Sequence, residues 1–189
     1  MFHDISADMQ QVMRALEEQT ARDQPSLRSV SVDVGRCLVL LAMSAPQGAF
    51  LELGSSGGYS SLWLSLAARA RAVTLTTVEL DEKKVAMARE NLARAGAGDS
   101  IQAIHGDALD YAARFEEIAF CFSDLQPPEH NAKVYEKVVP RLVPGGLLVI
   151  DNVTSPRVQT EILNRAEKDP RVDSVLLPFP KGDLICRKI

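Results

Sequence analysis

Features that define several functional classes are missing from this 189-residue sequence. It has no CxxC pair, and Cys37, Cys121 and Cys186 lie far apart, so we expect reduced thiols rather than disulfides or a cysteine metal site. No apolar run approaches the ~20 residues of a membrane span. The first residues, MFHDISADMQ, have neither the basic nor the apolar segment of a secretion signal. These absences predict a cytoplasmic protein without a membrane partner.

An excess of positive charge is also missing. The chain has 21 Lys and Arg against 25 Asp and Glu, a net charge of −4, so no overall basic field favours nucleic acid. A local basic patch would have to come from residues near the C-terminus, namely Arg157, Arg165, Arg171, Lys181, Arg187 and Lys188. Five acidic residues lie among them, which disfavours this interpretation.

No internal repeat, low-complexity tract or linker interrupts the chain, and its length favours one domain over residues 1–189. Apolar residues at helical spacing predict helices at 4–22 and 32–43, so residues 1–45 form an N-terminal helical extension. From residue 46 to residue 189, short apolar strands alternate with helical segments, which predicts an α/β core.

The predicted strands of this core cover residues 49–53, 73–80, 101–105, 118–122, 147–150, 172–177 and 184–187. Helices are predicted between them at residues 60–70, 82–95, 108–115, 129–142 and 157–168. This alternation is typical of βαβ units in a parallel sheet with both faces covered. Only PFPKGD separates the last two strands, which predicts a hairpin. The predicted fold is therefore a Rossmann-like, doubly wound α/β sheet of seven strands, mostly parallel with one antiparallel strand.

The stretch FLELGSSGGY, residues 50–59, is an apolar strand that runs into a glycine-rich turn. A dinucleotide-binding fingerprint requires glycine where Ser56 stands, and no Lys-Ser/Thr pair of a P-loop follows. Both phosphate-binding interpretations are therefore disfavoured. The remaining pattern is Glu52, Gly54 and Gly58, which is either a ligand-binding turn or a generic tight turn.

Acidic residues stand at the ends of the next two strands. Glu79 lies 21 residues after Gly58, where an acid can accept hydrogen bonds from both hydroxyls of a ribose. Asp107 follows the third strand and either binds an adenine amino group or caps the next helix. Together with the glycine turn, Glu79 predicts a ligand that contains adenosine.

Two carboxylates and an amide follow the fourth and fifth strands. Asp124 comes after AFCFS, and Asp151-Asn152 comes after LLVI. Adjacent strands lie about 4.8 Å apart, so these side chains can converge on one point. Such oxygen ligands suit Mg²⁺ rather than zinc. The alternative is that both acids simply cap helices.

Taken together, these motifs resemble those of S-adenosylmethionine-dependent class I O-methyltransferases. The similar segments are FLELGSSGGYSSLWL, VELDEKKVAMARENL, HGDAL, VPGGLLVIDNV and LLPFPKGDLICRK. They resemble the metal-dependent branch, which includes catechol and caffeoyl-CoA O-methyltransferases and small bacterial enzymes. The resemblance implies that S-adenosylmethionine is bound by Glu52, Gly54, Ser55, Gly58, Tyr59, Ser60, Glu79, Leu80, Asp107, Ala108 and Asp124. It also implies a divalent metal, Mg²⁺ or a similar ion, held by Asp124, Asp151 and Asn152.

One segment departs from the family pattern. The family lysine expected after the fourth strand, the general base, is missing, and the segment from Phe122 to His130 is one residue longer. Either His130 or Lys133 takes over the base role, or metal activation suffices with water as proton acceptor, or the enzyme is degenerate. The loop after Asn152 is also short, so the acceptor site is either open or completed by the N-terminal helix or a second subunit.

The predicted function is transfer of a methyl group from S-adenosylmethionine to a hydroxyl of a small, catechol-like acceptor with divalent-metal assistance. Two alternatives stay open at this point. One is a tRNA hydroxyuridine O-methyltransferase, and the other is a degenerate S-adenosylmethionine-binding protein. Because members of the family are commonly dimers, the resemblance also leads us to expect a homodimer.

Overall fold

The computed structural model describes residues 2, 5–22, 27, 29–154 and 159–189, with the backbone only at Pro128, Gln159 and Thr160. Its α-helices are α1 (Ala7–Arg22), α2 (Val32–Ser44), α3 (Tyr59–Ala70), α4 (Glu82–Arg94), α5 (Ala108–Ala112), α6 (Asn131–Val138) and α7 (Gln159–Lys168). Its strands are β1 (Ala49–Leu53), β2 (Leu75–Glu79), β3 (Ile101–His105), β4 (Ile118–Ser123), β5 (Leu142–Ile150), β6 (Val172–Leu177) and β7 (Asp183–Lys188). No helix among the described residues is both long enough and apolar enough to span a membrane.

The seven strands form one sheet in the order β3-β2-β1-β4-β5-β7-β6. Parallel pairs join β2 to β3, β1 to β4 and β4 to β5. In contrast, β7 runs antiparallel to both β5 and β6. The predicted Rossmann-like α/β sheet, with one antiparallel strand from a C-terminal hairpin, is confirmed.

The central strands are buried because their sequences are apolar on both faces. Every residue of β4, IAFCFS, is buried, as expected for a strand of a parallel sheet covered on both sides. The rings of Phe50 in β1 and Phe120 in β4 lie 5.7 Å apart, and both side chains are fully buried. Burial of a phenylalanine side chain stabilises a fold by roughly 1.5–3 kcal/mol, so this pair anchors the sheet beneath the loops that follow β1 and β4.

The chain divides into two compact units, Met1–Met43 with Ser55–Gly106 and Ser44–Gly54 with Asp107–Ile189. In the first unit, α1 buries its apolar face, as the spacing predicts; the buried residues are Met9, Val12, Met13 and Leu16. In the second unit, β4 and β5 support the segments that begin at Asp124 and Asp151. The single domain over residues 1–189, with helices at 1–45 and the α/β core at 46–189, stays a prediction.

The prediction for residues 129–150 is wrong in one respect. The helix α6 ends at Val138, a 3-10 turn covers Val139–Arg141, and β5 begins at Leu142 instead of residue 147. Pro140 explains the difference: the Val139 N–H makes the last bond of the helix, to the Tyr135 carbonyl, and Pro140 has no N–H to make the next one. Elsewhere, α5 is shorter than predicted, and the predicted start of α7 at Arg157 lies outside the described residues.

Candidate functional site

Glu79, the last residue of β2, has its carboxylate held by three backbone N–H groups. Leu80 and Asp81 donate to Oε1 at 2.8 and 3.0 Å, and Ser56 donates to Oε2 at 2.9 Å. A carboxylate offers about four lone-pair sites, so acceptor capacity remains for a ligand hydroxyl. The turn therefore fixes the orientation of the residue that is predicted to bind the ribose.

Ser56 adopts a backbone conformation that glycine normally takes. Its φ is +45°, and its hydroxyl is buried without a hydrogen-bond partner in the described part of the chain. This conformation costs a residue other than glycine about 1–2 kcal/mol. The neighbouring Gly57 carbonyl accepts a hydrogen bond of 2.9 Å from Asn91, a buried residue of α4. Asn91 thus supports the turn. This role could not be predicted from the sequence, where Asn91 is one polar residue of a predicted helix.

The other predicted residues of this turn are mostly buried. Tyr59 is 3% exposed at the start of α3, and its hydroxyl donates to Glu17 Oε1 at 2.5 Å. Burial, together with this hydrogen bond, raises the pKa of Tyr59 far above its usual value. Ser55 and Ser60 are buried too, whereas Leu80 is exposed.

Asp107 caps helix α5. Its Oδ1 accepts hydrogen bonds from the backbone N–H groups of Leu109 at 2.7 Å and Asp110 at 3.2 Å. Ala108 is buried behind it. The capping role that the sequence left open is therefore present, and contact with adenine stays a prediction.

Gly54 and Glu52 lie at the end of β1, next to β4. Gly54 has φ +93°, and a Cβ at this position would lie 2.7 Å from the Asp124 carbonyl oxygen. The Asp124 N–H donates to the Leu53 carbonyl at 3.0 Å, so β1 holds the backbone of Asp124 directly. Glu52 is fully buried. Burial, and to a smaller extent the charge of Glu52, raises the pKa of the Cys121 thiol far above its usual value.

The structure brings Asp124, Asp151 and Asn152 together at the ends of β4 and β5. Asn152 Nδ2 donates to Asp124 Oδ1 at 2.5 Å, and the Asn152 N–H donates to Asp151 Oδ1 at 2.5 Å. Asp151 N–H in turn donates to the Ser123 carbonyl at 2.9 Å. Asn152 has φ +65°, in the left-handed region that asparagine tolerates better than most residues. This conformation places the Asn152 amide against Asp124.

Asp183 is a further member of this cluster that the sequence did not reveal. It is the first residue of β7, and Ile150 pairs with Leu184 in the antiparallel ladder, so Asp183 lies opposite Asp151. Asp183 is 2% exposed, and its Oδ1 has no hydrogen-bond partner among the described residues. The only signal was the acid of PFPKGD, whose position depends on the register between β5 and β7.

The three carboxylates of this cluster repel one another. Burial, followed by the charge of Asp151, raises the pKa of Asp124 to about 8. The same two causes raise the pKa of Asp183 to about 8, and a hydrogen bond between the Asp183 and Asp151 carboxyl groups needs one shared proton. A bound cation would relieve this repulsion, because opposite charge favours the ionised form of a carboxyl group.

Three basic side chains are considered for the role of the general base, which the missing lysine has in the family. His130 precedes α6 and is partly exposed, and Lys133 is exposed on α6. The charge of Lys181 lowers the Asp124 pKa. Lys181 lies in the turn before β7, and the sequence predicts it only as part of a basic patch.

The predicted basic patch is partly neutralised by carboxylates. Arg165 pairs with Glu136 at 2.7 Å, and Arg171 pairs with Asp169 at 2.5 Å. Arg157 lies outside the described residues. Arg165 and Arg171 are therefore occupied within the chain.

No three His, Cys, Asp or Glu side chains in the described ranges form a group that could hold a metal ion. The predicted ligand set has a different composition, two carboxylates and an amide. Its oxygen atoms have the chemistry that Mg²⁺ prefers.

Comparison with known proteins supplies independent findings. A family model described as O-methyltransferase matches residues 3–189. A catechol O-methyltransferase of Mycobacterium tuberculosis is 34% identical over 142 residues, which cover 74% of this chain and 63% of that protein. A catechol O-methyltransferase of Niastella koreensis is 33% identical over 130 residues, which cover 66% of this chain and 58% of that protein. The chain thus spans less than two thirds of the length of these two relatives.

A solved structure has the same fold. The O-methyltransferase of Bacillus cereus, in complex with S-adenosylhomocysteine, superposes with a TM-score of 0.78 at 24% identity. The match covers 97% of this chain and 91% of that chain. At this level of identity the likeness concerns the fold alone.

Proposed function

Because this chain belongs to the family of class I S-adenosylmethionine-dependent O-methyltransferases, we propose that it methylates one hydroxyl of a small acceptor with two vicinal hydroxyls, such as a catechol. The observation that carries the proposal is the cluster of half-buried Asp124 with buried Asp151 and Asn152 at neighbouring strand ends. The two relatives named catechol O-methyltransferase support the class of acceptor.

The chain's residues fit S-adenosylmethionine. The fixed Glu79 carboxylate retains acceptor capacity for ribose hydroxyls, and the end of β1 at Gly54 has no side chain that would fill the turn. The Bacillus cereus relative in complex with S-adenosylhomocysteine supports this ligand. When bound, S-adenosylmethionine supplies a methyl group that its sulfonium centre has already activated.

The chain's residues also fit a divalent cation. Asp124 and Asp151 supply carboxylate oxygens, and Asn152 supplies an amide. Burial, followed by the charge of Asp151, raises the pKa of Asp124, and a bound cation would offset both effects. When bound there, the ion would act as a Lewis acid that lowers the pKa of an acceptor hydroxyl.

The chain's own residues mainly hold the reacting groups in position and limit the access of water to the site. The ladder between β4 and β5 sets the spacing of Asp124 and Asp151, and the hydrogen bond from Asn152 fixes the Asp124 carboxylate. Because Asp151 and Asn152 are 8% and 6% exposed, water has little access to them. Holding two reacting groups in line accelerates a displacement by removing the entropy cost of their encounter.

Methyl transfer to catechol, measured with S-adenosylmethionine and MgCl₂ and then with EDTA, tests the proposal. We expect a rate that depends on Mg²⁺ and falls on the order of 100-fold in Asp151→Asn, because a ligand matters at least as much as its supporting groups. Asp173→Asn is the matched control, since Asp173 is exposed on β6.

Each outcome separates one interpretation. Transfer to catechol that survives both EDTA and Asp151→Asn would contradict the metal-assisted mechanism. Binding of S-adenosylmethionine without transfer to any vicinal diol would instead favour a degenerate cofactor-binding protein. Methylation of hydroxyuridine in tRNA, but not of catechol, would show that the acceptor is a nucleic acid.

A further inference from the structure

The turn from Ser55 to Gly58, which is predicted to receive the cofactor, has a strained backbone. Ser56 has φ +45° and Gly58 has φ +90°. Within the turn, the Gly58 N–H donates to the Ser55 carbonyl at 2.8 Å. A residue other than glycine keeps such a conformation only where the surrounding structure fixes it. The contacts around this turn therefore decide whether it keeps its shape.

Helix α1 supplies two of these contacts. Leu16, which is 2% exposed, packs on the turn, because a Cβ at Gly57 would lie 3.2 Å from Leu16 Cδ2. The next residue of α1, Glu17, accepts through Oε1 the hydrogen bond of 2.5 Å from the Tyr59 hydroxyl. Tyr59 follows Gly58 directly and begins α3. Helix α1 thus contacts the turn at Gly57 and holds the first residue after it.

Two elements of the α/β core hold the same turn. Asn91 of α4 donates to the Gly57 carbonyl at 2.9 Å, and the Ser56 N–H donates to Glu79 of β2 at 2.9 Å. These contacts come from the strand and the helix that follow the turn along the chain. The contacts from α1 are different, because they connect the N-terminal helical extension to the turn.

We propose that Glu17 is a positioning residue of the S-adenosylmethionine site, which acts through the Tyr59 hydroxyl and keeps the turn in the shape that binds the cofactor. This inference rests on the cofactor named in the proposed function, and it is independent of the acceptor and of the metal. Because linkage is reciprocal, a helix that strengthens cofactor binding is itself held more firmly when the cofactor is bound. Docking of α1 and binding of the cofactor are therefore coupled.

The expected effect of removing this contact is moderate. Glu17 is an exposed residue, so water can partly replace its carboxylate beside the Tyr59 hydroxyl. We expect Glu17→Leu to raise the Kd of S-adenosylhomocysteine about fivefold, which corresponds to a turn that has its binding shape about one fifth of the time.

Calorimetric titration with S-adenosylhomocysteine tests this role in wild type and variants. Glu17→Leu removes the acceptor of the bond and Tyr59→Phe removes the donor, so each should raise the Kd about fivefold, and the double variant should raise it no further. Glu17→Gln keeps a side-chain carbonyl that can accept from Tyr59, so it should recover most of the affinity. Glu18→Leu is the matched control, because the Glu18 side chain is 72% exposed on the same helix, and it should bind as wild type does.

Amide hydrogen exchange separates a positioning role from a purely structural one. In wild type, S-adenosylhomocysteine should slow exchange through local opening of α1 by about fivefold, the same factor as the change in Kd. This protection should be lost in Glu17→Leu and kept in Glu18→Leu. A residue that only stabilised the helix would change exchange in α1 equally with and without the ligand. Urea unfolding checks that each variant is folded.

Three results would overturn the proposal. If folded Glu17→Leu binds S-adenosylhomocysteine with the Kd of wild type, Glu17 has no positioning role, although the proposed function stands. If S-adenosylhomocysteine leaves exchange in α1 of wild type unchanged, the helix and the cofactor are not coupled. If wild type itself does not bind S-adenosylhomocysteine, the proposed function loses its cofactor, and the role of Glu17 fails with it.

Discussion

The contact between Gly54 and Asp124 makes one substitution especially informative. Gly54→Ala adds a single methyl group at the end of β1, where φ is +93° and the new Cβ would lie 2.7 Å from the Asp124 carbonyl oxygen. Because that oxygen belongs to the backbone, it cannot rotate away as a flexible side chain would. The substitution therefore strains Gly54 and displaces Asp124.

The expected cost has two parts. The positive φ costs alanine about 1–2 kcal/mol, and overpacking against rigid backbone typically adds about 1–3 kcal/mol. We therefore expect Gly54→Ala to lower the free energy of unfolding by roughly 2–5 kcal/mol, the sum of these two ranges. Displacement of Asp124 should also weaken S-adenosylhomocysteine binding, because both Gly54 and Asp124 are predicted cofactor residues.

Two matched glycines separate these contributions. Gly96 has φ +65°, and a Cβ added there would have no atom within 4 Å, so Gly96→Ala should cost only the conformational part, about 1–2 kcal/mol. Gly98 has neither a positive φ nor a close neighbour, so Gly98→Ala should change stability by less than about 1 kcal/mol. Urea unfolding measures all three variants, and calorimetry measures ligand binding. A Gly54→Ala variant no less stable than Gly96→Ala would refute the reasoning.

Three other side chains give further predictions. Glu79→Gln should weaken S-adenosylhomocysteine binding about tenfold, because a charged acceptor is lost; an unchanged Kd would contradict the ribose assignment. Asn131→Leu should raise the free energy of unfolding by about 1 kcal/mol, since the Asn131 amide is fully buried without a partner in the described residues; urea unfolding decides this. Hydrogen bonds from Arg171 hold the pKa of Asp169 well below its usual value. The stability from Asp169 is therefore present above about pH 4 and lost as the pH falls further, so acid titration of Asp169→Asn should show a shallower decline than wild type.

Several strands could be predicted to the residue from the sequence. The strands β1, β3 and β6 have the predicted bounds of 49–53, 101–105 and 172–177. Their apolar and β-branched runs end at glycine, proline or charged residues, so the local sequence contains the boundary. The helix predicted before β5 was too long, because Pro140 has no backbone N–H and ends the helix despite the helical spacing of the apolar residues around it.

The residues of the candidate site also fall into those that could be predicted from the sequence and those that could not. Asp124 and Asp151-Asn152 could be predicted because residues that follow adjacent parallel strands meet at one edge of a sheet. Asp183 could not, since its position depends on how the C-terminal hairpin pairs with β5. A shift of this register by one residue would turn Asp183 away from Asp151.

The sequence alone determined the family, the sheet and the strand ends that carry acids, because these follow from local apolar patterns and short motifs. The acceptor, the metal, the tRNA alternative and the homodimer stay predictions. Only the tertiary structure decided which charges face one another, as Asp183 lies opposite Asp151. The physical reason is that electrostatic interactions act through space between residues whose separation along the chain says nothing about their distance.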